Sequence, residues 1–507
     1  MINSNIFKDL IVLDLANNHF GDLNHAKKII GSFSKLIKKY KIKCTIKFQF
    51  RDLDSFIHKD HLKSDNSYIK RFLTTKFSDE QFKRIHSYIK NNNILTSCTP
   101  FDEASVDKIE KMKFNFIKIA SVSALDFNLH ERVVKNNIPK IISTGGIKIN
   151  DIDKIVSFYK KKQQKFSLMH CSSIYPSSNE KLQISVIKNL INRYKDVTIG
   201  WSTHEYPYEF RPGIIALSCG AEMFEKHIGI NSKKYKLNKY SATPDLFEKW
   251  YLNLLESKKI LGNEKKIIFK EEIKTINSLQ RGVYAKGNIS KSEKLILDKN
   301  IYFAFPLQKG QLSSSELKNN TLINKNIKAE QKILKNEIIY DQELQKEYQI
   351  KAYIHEVKAM LNYSKIELKD KFDMEISHHK GINNFKKVGC FLFNMINKKY
   401  AKKIIVMLPN QTHPFHHHKI KTESFIIISG ELTLIDNKKK YLLKPGDIVH
   451  LKKSSWHKFT AGKNGCIFEE ISTTSLKQDS FYKNKSIKNL DRDMRKTYFK
   501  NWYSKSK

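Results

Sequence analysis

The side chains best suited to chemistry in this sequence stand at the ends of short apolar runs. Lys47 and Gln49 occur in "CTIKFQF", Thr99 in "NILTSCTPF", Lys118 and Ser121 in "FNFIKIAS", Ser143 in "IPKIISTGG" and Ser202 in "VTIGWSTH". Ammonium and hydroxyl donors of this kind make a cradle for a phosphate or a carboxylate. The last of these runs continues to His204, and the next, "AEMFEKHI", supplies Lys226 and His227. Two imidazoles at neighbouring strand ends can face one cation and leave positions open for water or substrate. One such histidine alone would read as structural; two above an anion cradle read as a site. Ahead of them, "VLDLANNHFGD" delivers Asp14 and then Asn17, Asn18 and His19, which make a poor core and a good site.

A second constellation lies far downstream. "HPFHHHKIKTESFIIISG" sets His416 and His418 two residues apart, then Glu423, then Gly430, and "PGDIVHLKKSSWH" adds His457. Side chains two apart on a strand point the same way, and Glu423 can return on the next strand to face them, so His416, His418, Glu423 and His457 form a metal-ligand set. A His-rich loop arising by chance is the alternative; ligand spacing in both halves argues against it. His413 and His417 read as bystanders.

The elements that must position these groups follow from periodicity. From residue 8 to about 262, eight apolar runs alternate with longer amphipathic stretches, which implies βα units and a closed (β/α)8 barrel of α/β class. Chemistry in that architecture gathers where strand C-terminal ends meet their loops, and that is where the polar groups fall. Residues 263–277 read as a linking helix, 278–341 as a small β-rich domain, 342–384 as a helical connector, 385–490 as an all-β barrel and 491–507 as a tail. The formal net charge of +41 comes from 92 Lys+Arg against 51 Asp+Glu. Lysine is spread throughout and no basic run is interleaved with aromatics, so the charge reads as general lysine bias rather than nucleic-acid binding. Six separated cysteines, no leader and no long apolar stretch imply reduced thiols, no membrane partner and a cytoplasmic enzyme.

The phrases "LANNHFGDLNHAKKII", "KFQ", "TPFDEASVD", "KIAS", "STGG", "LMHCSSIYP", "WSTHE" and "EKHIGI", in that order, resemble the sialic acid synthase family of phosphoenolpyruvate-condensing enzymes. Residues 278–341 resemble the antifreeze-protein-like SAF domain that such synthases carry. The resemblance implies condensation of phosphoenolpyruvate with an aldose, usually an N-acyl hexosamine, to a 2-keto-3-deoxy sugar acid and phosphate, in surface-polysaccharide sugar synthesis. It makes Lys47, Gln49, Thr99, Lys118, Ser121, Ser143 and Ser202 phosphoenolpyruvate-side residues, and Tyr175 and Ser173 sugar-side residues. His204 and His227 become ligands of a manganese or magnesium ion, and Asp14 a catalytic acid. It also implies a head-to-tail homodimer in which each SAF-like domain caps the partner's barrel. Several positions depart from the family pattern. Asp14 replaces Glu, Ser123 an acid, Ser173 an Asn and Thr203 an Asp, while Leu237 or Asn238 replaces a sugar-binding Asp, and Phe305 an Arg. The departures cluster on the sugar side, which implies an altered acceptor.

The downstream constellation resembles both cupin motifs, with Lys452 and Ser454 in place of the second motif's Pro and Gly. "KIKTE" and "FEEIST" are similar to metal-dependent sugar isomerases, which makes Lys421 and Glu470 proton-transfer candidates beside a second divalent metal. The competing expectation is a sugar-binding or isomerising cupin scaffold behind an altered or inactive synthase barrel.

Overall fold

In the first part of the chain, strands and helices alternate as the periodicity predicts. The computed structural model describes residues 6–368, 372–476 and 478–500. The chain divides into two compact units, Met1–Lys266 and Ile267–Lys507.

The first unit is a closed parallel barrel of β1 (Leu10–Asp14), β2 (Cys44–Phe50), β3 (Leu95–Pro100), β4 (Phe116–Ile119), β5 (Lys140–Ser143), β6 (Phe166–Cys171), β7 (Thr198–Ser202) and β8 (Met223–His227). Alternation along each strand decides what the interior contains. Leu10, Val12, Phe116, Ile141, Met169 and Met223 form one small apolar cluster, while Ile11 and Leu13 join the larger core that includes the helices' buried faces. On β1 and β8 the inward series then turns polar, giving Asp14 above Val12, and Glu225 and His227 above Met223. Register sets Asp14 beside Lys47 on one side and His227 on the other. Between β2 and the helix Asp79–Asn91 the chain inserts two further short helices, Leu53–Phe56 and Ser67–Thr74.

The second unit opens with the helix Lys270–Ser278. Two small antiparallel ladders follow, β9 (Gly282–Ala285) with β10 (Ile301–Ala304) and β11 (Leu322–Ile323) with β12 (Ile338–Ile339). They share a core of Val283, Ile289, Ile301, Leu312, Ile323 and Ile333. After the helix Gln342–Tyr363 comes an antiparallel sheet of β13 (Asp373–Ser377), β14 (Cys390–Asn397), β15 (Tyr400–Met407), β16 (Thr412–His417), β17 (Glu423–Asp436), β18 (Lys439–Leu443), β19 (Ile448–Leu451), β20 (His457–Thr473), β21 (Phe481–Tyr482) and β22 (Lys496–Phe499). Tyr353, Val357 and Leu361 of the long helix share a core with Phe391 and Phe393 of β14, whereas Cys390, of opposite parity, packs with Phe425, Phe459 and Phe468. The limits 385 and 490 expected for the all-β domain fall short of this sheet. β13 lies in the stretch read as connector and β22 in the stretch read as tail, and the two strands pair with each other. Residues 501–507 of that tail lie outside the described residues. Gly430 of the expected motif has φ +77°, and a Cβ there would stand 2.1 Å from the carbonyl oxygen of Gly465, so both backbone conformation and space require glycine.

Candidate active site and candidate metal centre

At the C-terminal mouth of the barrel the expected cradle is organised around a carboxylate that the motif reading missed. Glu225 is buried between two buried lysines: Lys118 Nζ lies 2.8 Å from its Oε2, and Lys47 pairs with its other oxygen. Ser202 Oγ donates to Glu225 Oε2 (2.9 Å) and Lys118 Nζ donates to Ser143 Oγ (2.6 Å). Lys47 also pairs with Asp14 Oδ2 at 2.9 Å. Burial pushes the Glu225 carboxyl up, but Lys118 and Lys47 outweigh it and hold the group well below the usual carboxylate range. The two ammonium groups are therefore already matched by two carboxylates, and the hydroxyls stand beside them. Parity on β8 could have found Glu225, since it lies two residues before His227 and must share its face. The same parity turns Lys226 away from the mouth, to a buried pair with Glu205 at 2.9 Å.

His204 and His227 follow β7 and end β8, respectively, with ring centroids 5.2 Å apart. His204 Nδ1 lies 2.8 Å from the carbonyl oxygen of Ser172; a carbonyl only accepts, so Nδ1 carries the proton and Nε2 is left with its lone pair. His227 Nδ1 is buried without a hydrogen-bond partner, 3.3 Å from Asp14 Oδ2. Burial and the neighbouring His227 push His204 down to about 3, and burial lowers His227 against the pull of Asp14, so both rings are neutral and able to donate to a cation. Tyr175 lies over His204 (4.2 Å between centroids) and Tyr240 stands edge-on to His227 (5.1 Å).

The other expected residues divide into those at the mouth and those held nearby. Thr99 is buried with its hydroxyl unpartnered, as is Thr203. Ser121 Oγ accepts from the Gly145 N–H (3.1 Å) and lies 3.1 Å from Cys171 Sγ, with Ser173 Oγ 3.9 Å from the same sulfur. Gln49 Oε1 accepts from Arg51. Ser123 is buried, while Phe305 is 60% exposed. Asn238 donates to Asn18 Oδ1 (2.9 Å), and Asn18 in turn donates to the Ile228 carbonyl (2.8 Å), so these amides brace the loop after β8. His19 stacks on Phe77 at 4.1 Å and accepts the Gly21 N–H, away from the imidazole pair.

In the second unit His416, His418 and His457 are buried, with their facing nitrogens all within 4.8 Å of one another. Nδ1 of His416 lies 3.0 Å from the Pro414 carbonyl, Nδ1 of His457 lies 3.0 Å from the Ser455 carbonyl, and Nδ1 of His418 is held by the Asp479 carbonyl. Each Nδ1 therefore carries the proton and each Nε2 presents a lone pair. His416 Nε2 and His457 Nε2 are 3.0 Å apart, an approach that two lone pairs tolerate only with positive charge between or beside them. Glu423 completes the set, 3.4 Å from His418 Nε2 and 3.3 Å from His457 Nε2. These residues fit a divalent cation. The Asp479 carboxylate accepts the N–H groups of Lys419 (2.8 Å), Ile420 (3.0 Å) and Lys421 (3.0 Å), fixing the loop behind His418. Beside the set, Lys421 Nζ bridges Glu423 (2.5 Å) and Glu470 (2.8 Å), and Lys403 adds to Glu470 (3.1 Å). His416, His418, Glu423, Lys421, Glu470 and Lys403 line a cavity of about 580 Å³. His413 also lines this cavity and meets His379 (3.0 Å), and His417 stacks on Phe481.

Comparisons with known proteins agree with both halves. The NeuB family profile matches residues 37–266 and the cupin domain profile residues 403–468. An uncharacterized protein of Methanocaldococcus jannaschii is 30% identical over 298 residues, 58% of this chain and 84% of its own. The N,N'-diacetyllegionaminic acid synthase of Campylobacter jejuni is 26% identical over 294 residues, covering 56% of this chain and 87% of that one. A crystal structure from Chromobacterium violaceum, described as a candidate spore coat polysaccharide biosynthesis protein E, is 35% identical with a TM-score of 0.62 and covers 66% of this chain and 100% of its own. With the barrel, its strand-end residues and these relatives in agreement, the chain belongs to the NeuB family and carries a cupin domain in its C-terminal half.

Proposed function

We propose that the barrel condenses phosphoenolpyruvate with an aldose to give a 2-keto-3-deoxy sugar acid of the nonulosonic type and inorganic phosphate. The observation that carries this reading is the convergence of Lys47, Lys118, Ser143 and Ser202 on Glu225, one layer below His204 and His227. Relatives named as N-acetylneuraminate-9-phosphate, diacetyllegionaminic acid and pseudaminic acid synthases support it. Lys118, Ser143 and Ser202 hold the carboxylate and phosphate of the enol ester, with Thr99 and Ser121 as further donors. Its C3 then forms a bond to the aldehyde carbon, water adds at C2, and the C2–O bond to phosphate breaks. Asp14, beside His227 and Lys47, orients the water or takes the proton exchanged at the aldehyde oxygen. A manganese or magnesium ion bound by His204 and His227 would supply polarisation of that oxygen. The sugar-side departures, from Ser123 to Leu237, support an acceptor other than an ordinary N-acyl hexosamine. By the same resemblance the protein works as a cytoplasmic homodimer, residues 278–341 acting as a SAF-like cap on the partner's barrel.

For the cupin, the bridge from Lys421 to Glu423 and Glu470 beside three convergent imidazoles supports a cation-dependent sugar site that binds or isomerises the aldose. The test is phosphate release from phosphoenolpyruvate with manganese across a panel of aldoses. His227→Ala abolishes release, while His457→Ala spares it when the right aldose is supplied. Equal loss in both variants refutes two independent sites, and no release from the wild type with any aldose refutes the condensation.

A further inference from the structure

The interior of the cupin sheet carries more positive charge than its acids match. Lys403 of β15, Glu470 of β20 and Glu375 of β13 line the same cavity as His416 and His418. Lys403 and Lys421 converge on Glu470, and Lys421 also meets Glu423. On the β13–β22 wall, Lys496 pairs with Glu375 Oε1 and Arg492 Nη2 lies 3.1 Å from its Oε2. Four cations in this cavity thus face three carboxylates. Asp373 and Lys500 also line it, but both are exposed and cancel. The three ligand imidazoles, each with a lone pair on Nε2, add no charge, and Asp479 is spent on the backbone N–H groups behind His418.

The surplus grows when the metal set is filled. A divalent ion raises it further in a space walled elsewhere by Leu392, Ile405, Phe425 and Phe459. Uncompensated charge is costly in such surroundings, so a guest that brings negative charge is favoured over a neutral one. Lys496 already shows the deficit, for burial brings its ammonium down to about 8 despite Glu375. Positive charge also stands directly beside the ligands: Lys421 Nζ lies 2.5 Å from Glu423 Oε1, itself 3.4 Å from His418 Nε2. An ion that prefers six donors and takes four from the protein has two positions left. A carboxylate oxygen and the keto oxygen on the adjacent carbon fill such a pair as one chelate, with the charge facing Lys421. An aldose can offer its carbonyl and a neighbouring hydroxyl to the same pair, but brings no charge.

We propose that the cupin cavity also takes the 2-keto sugar acid that the barrel releases, chelated through its carboxylate and keto oxygen beside Lys421, in competition with the aldose. This rests on the reading of the barrel as a phosphoenolpyruvate–aldose synthase, since that reaction is what supplies the 2-keto acid. The cavity, about 580 Å³, has room for the polyhydroxy remainder of the molecule. Accumulating product then displaces the aldose from the second centre, and the output of one unit governs the occupancy of the other.

The test is calorimetric binding to the full chain carrying His227→Ala and loaded with manganese, so that the ion proposed for the barrel does not contribute. The titrants are 2-keto-3-deoxygluconate, glucuronate and a neutral hexosamine-type aldose; the second is an acid whose carboxylate lies remote from its carbonyl. The keto acid should bind about 10- to 100-fold more tightly than the neutral aldose, with glucuronate between them, and should displace the aldose when added to it. Chelator or His416→Ala should abolish its binding. Lys496→Gln, which touches no ligand of the metal set, should weaken it about tenfold with bound manganese unchanged. Adding Glu375→Gln removes the matching negative charge and should restore the affinity, which separates loss of charge from loss of fold. Equal binding of keto acid and neutral aldose overturns the proposal. So does keto-acid binding that survives His416→Ala, glucuronate binding as tight as that of the keto acid, or a double variant that folds and stays as weak as Lys496→Gln. Phosphate release by the wild type is scored separately: its absence sinks the condensation reading, while manganese-dependent binding of the keto acid still supports the receptor.

Discussion

Glu225 holds two buried ammonium groups at once. Deleting one member of a buried charged set costs far more than the set contributes, because the survivors stay buried without their partner. Glu225→Gln should therefore lower unfolding free energy by about 3 kcal/mol or more in denaturant titrations and abolish phosphate release. Adding Lys47→Met to it should recover part of the stability but none of the activity. Full stability in Glu225→Gln alone would mean that the lysines find other counter-ions. Motif reading located Lys47, Lys118, Ser143, Ser202, His204 and His227 and passed over Glu225, because attention to strand ends favours the last residue and this group works from the layer beneath. It also passed over Asp479, whose role is to accept three backbone N–H groups and fix a ligand loop, a function that leaves no trace in residue type alone.

Elements explain which residues stay out of the chemistry. The stretch after β1 led toward His19 as a site residue, yet the turn buries it against Phe77, with its Nδ1 accepting the Gly21 N–H. Burial, helped by the neighbouring His25, lowers its pKa from 6.5 to about 4. Because the folded value lies below the unfolded one, the unfolded chain binds the extra proton first. Its contribution is present in full above pH about 6.5 and drains away as pH falls toward 4, by about 3 kcal/mol at most. His19→Asn keeps an acceptor for Gly21 and removes the titration, so its stability measured from pH 7 to 4.5 should fall less steeply than that of the wild type. Parallel curves would place the acid sensitivity elsewhere. Strand alternation made the eight barrel strands legible, since each is a short apolar run between helices. The edges of the second sheet were not legible, because β13 and β22 are short and far apart in sequence, and only their mutual pairing makes them strands.

At the scale of the whole molecule, the two units carry separate centres of different design. The first sets two imidazoles beside a lysine–carboxylate network; the second sets three imidazoles with fixed tautomers around one acid. Since the second set turns three Nε2 atoms toward one point, metal should stabilise that unit directly, by about 3 kcal/mol at a hundredfold excess over Kd. Calorimetric scans with and without chelator, run on His227→Ala so that the ion proposed for the barrel does not contribute, should show a transition that shifts and that no longer shifts once His416→Ala is added. A shift in both would locate the binding elsewhere. Sequence legibility also differed between the units: the three convergent imidazoles of the cupin follow from spacing alone, whereas the insertion after β2 and the aromatic rings it helps set around Arg51 follow from no spacing rule.

The inner layer of the barrel mouth pairs Lys47 and Lys118 with Asp14 and Glu225, so its fixed charges cancel. A pore lined this way has no surplus to offer a multiply charged guest. On the condensation proposed above, ion and anion would enter as each other's counterweight, the occupancy of one setting that of the other, and a cell short of the metal would experience the deficit as a weakened grip on the enol ester.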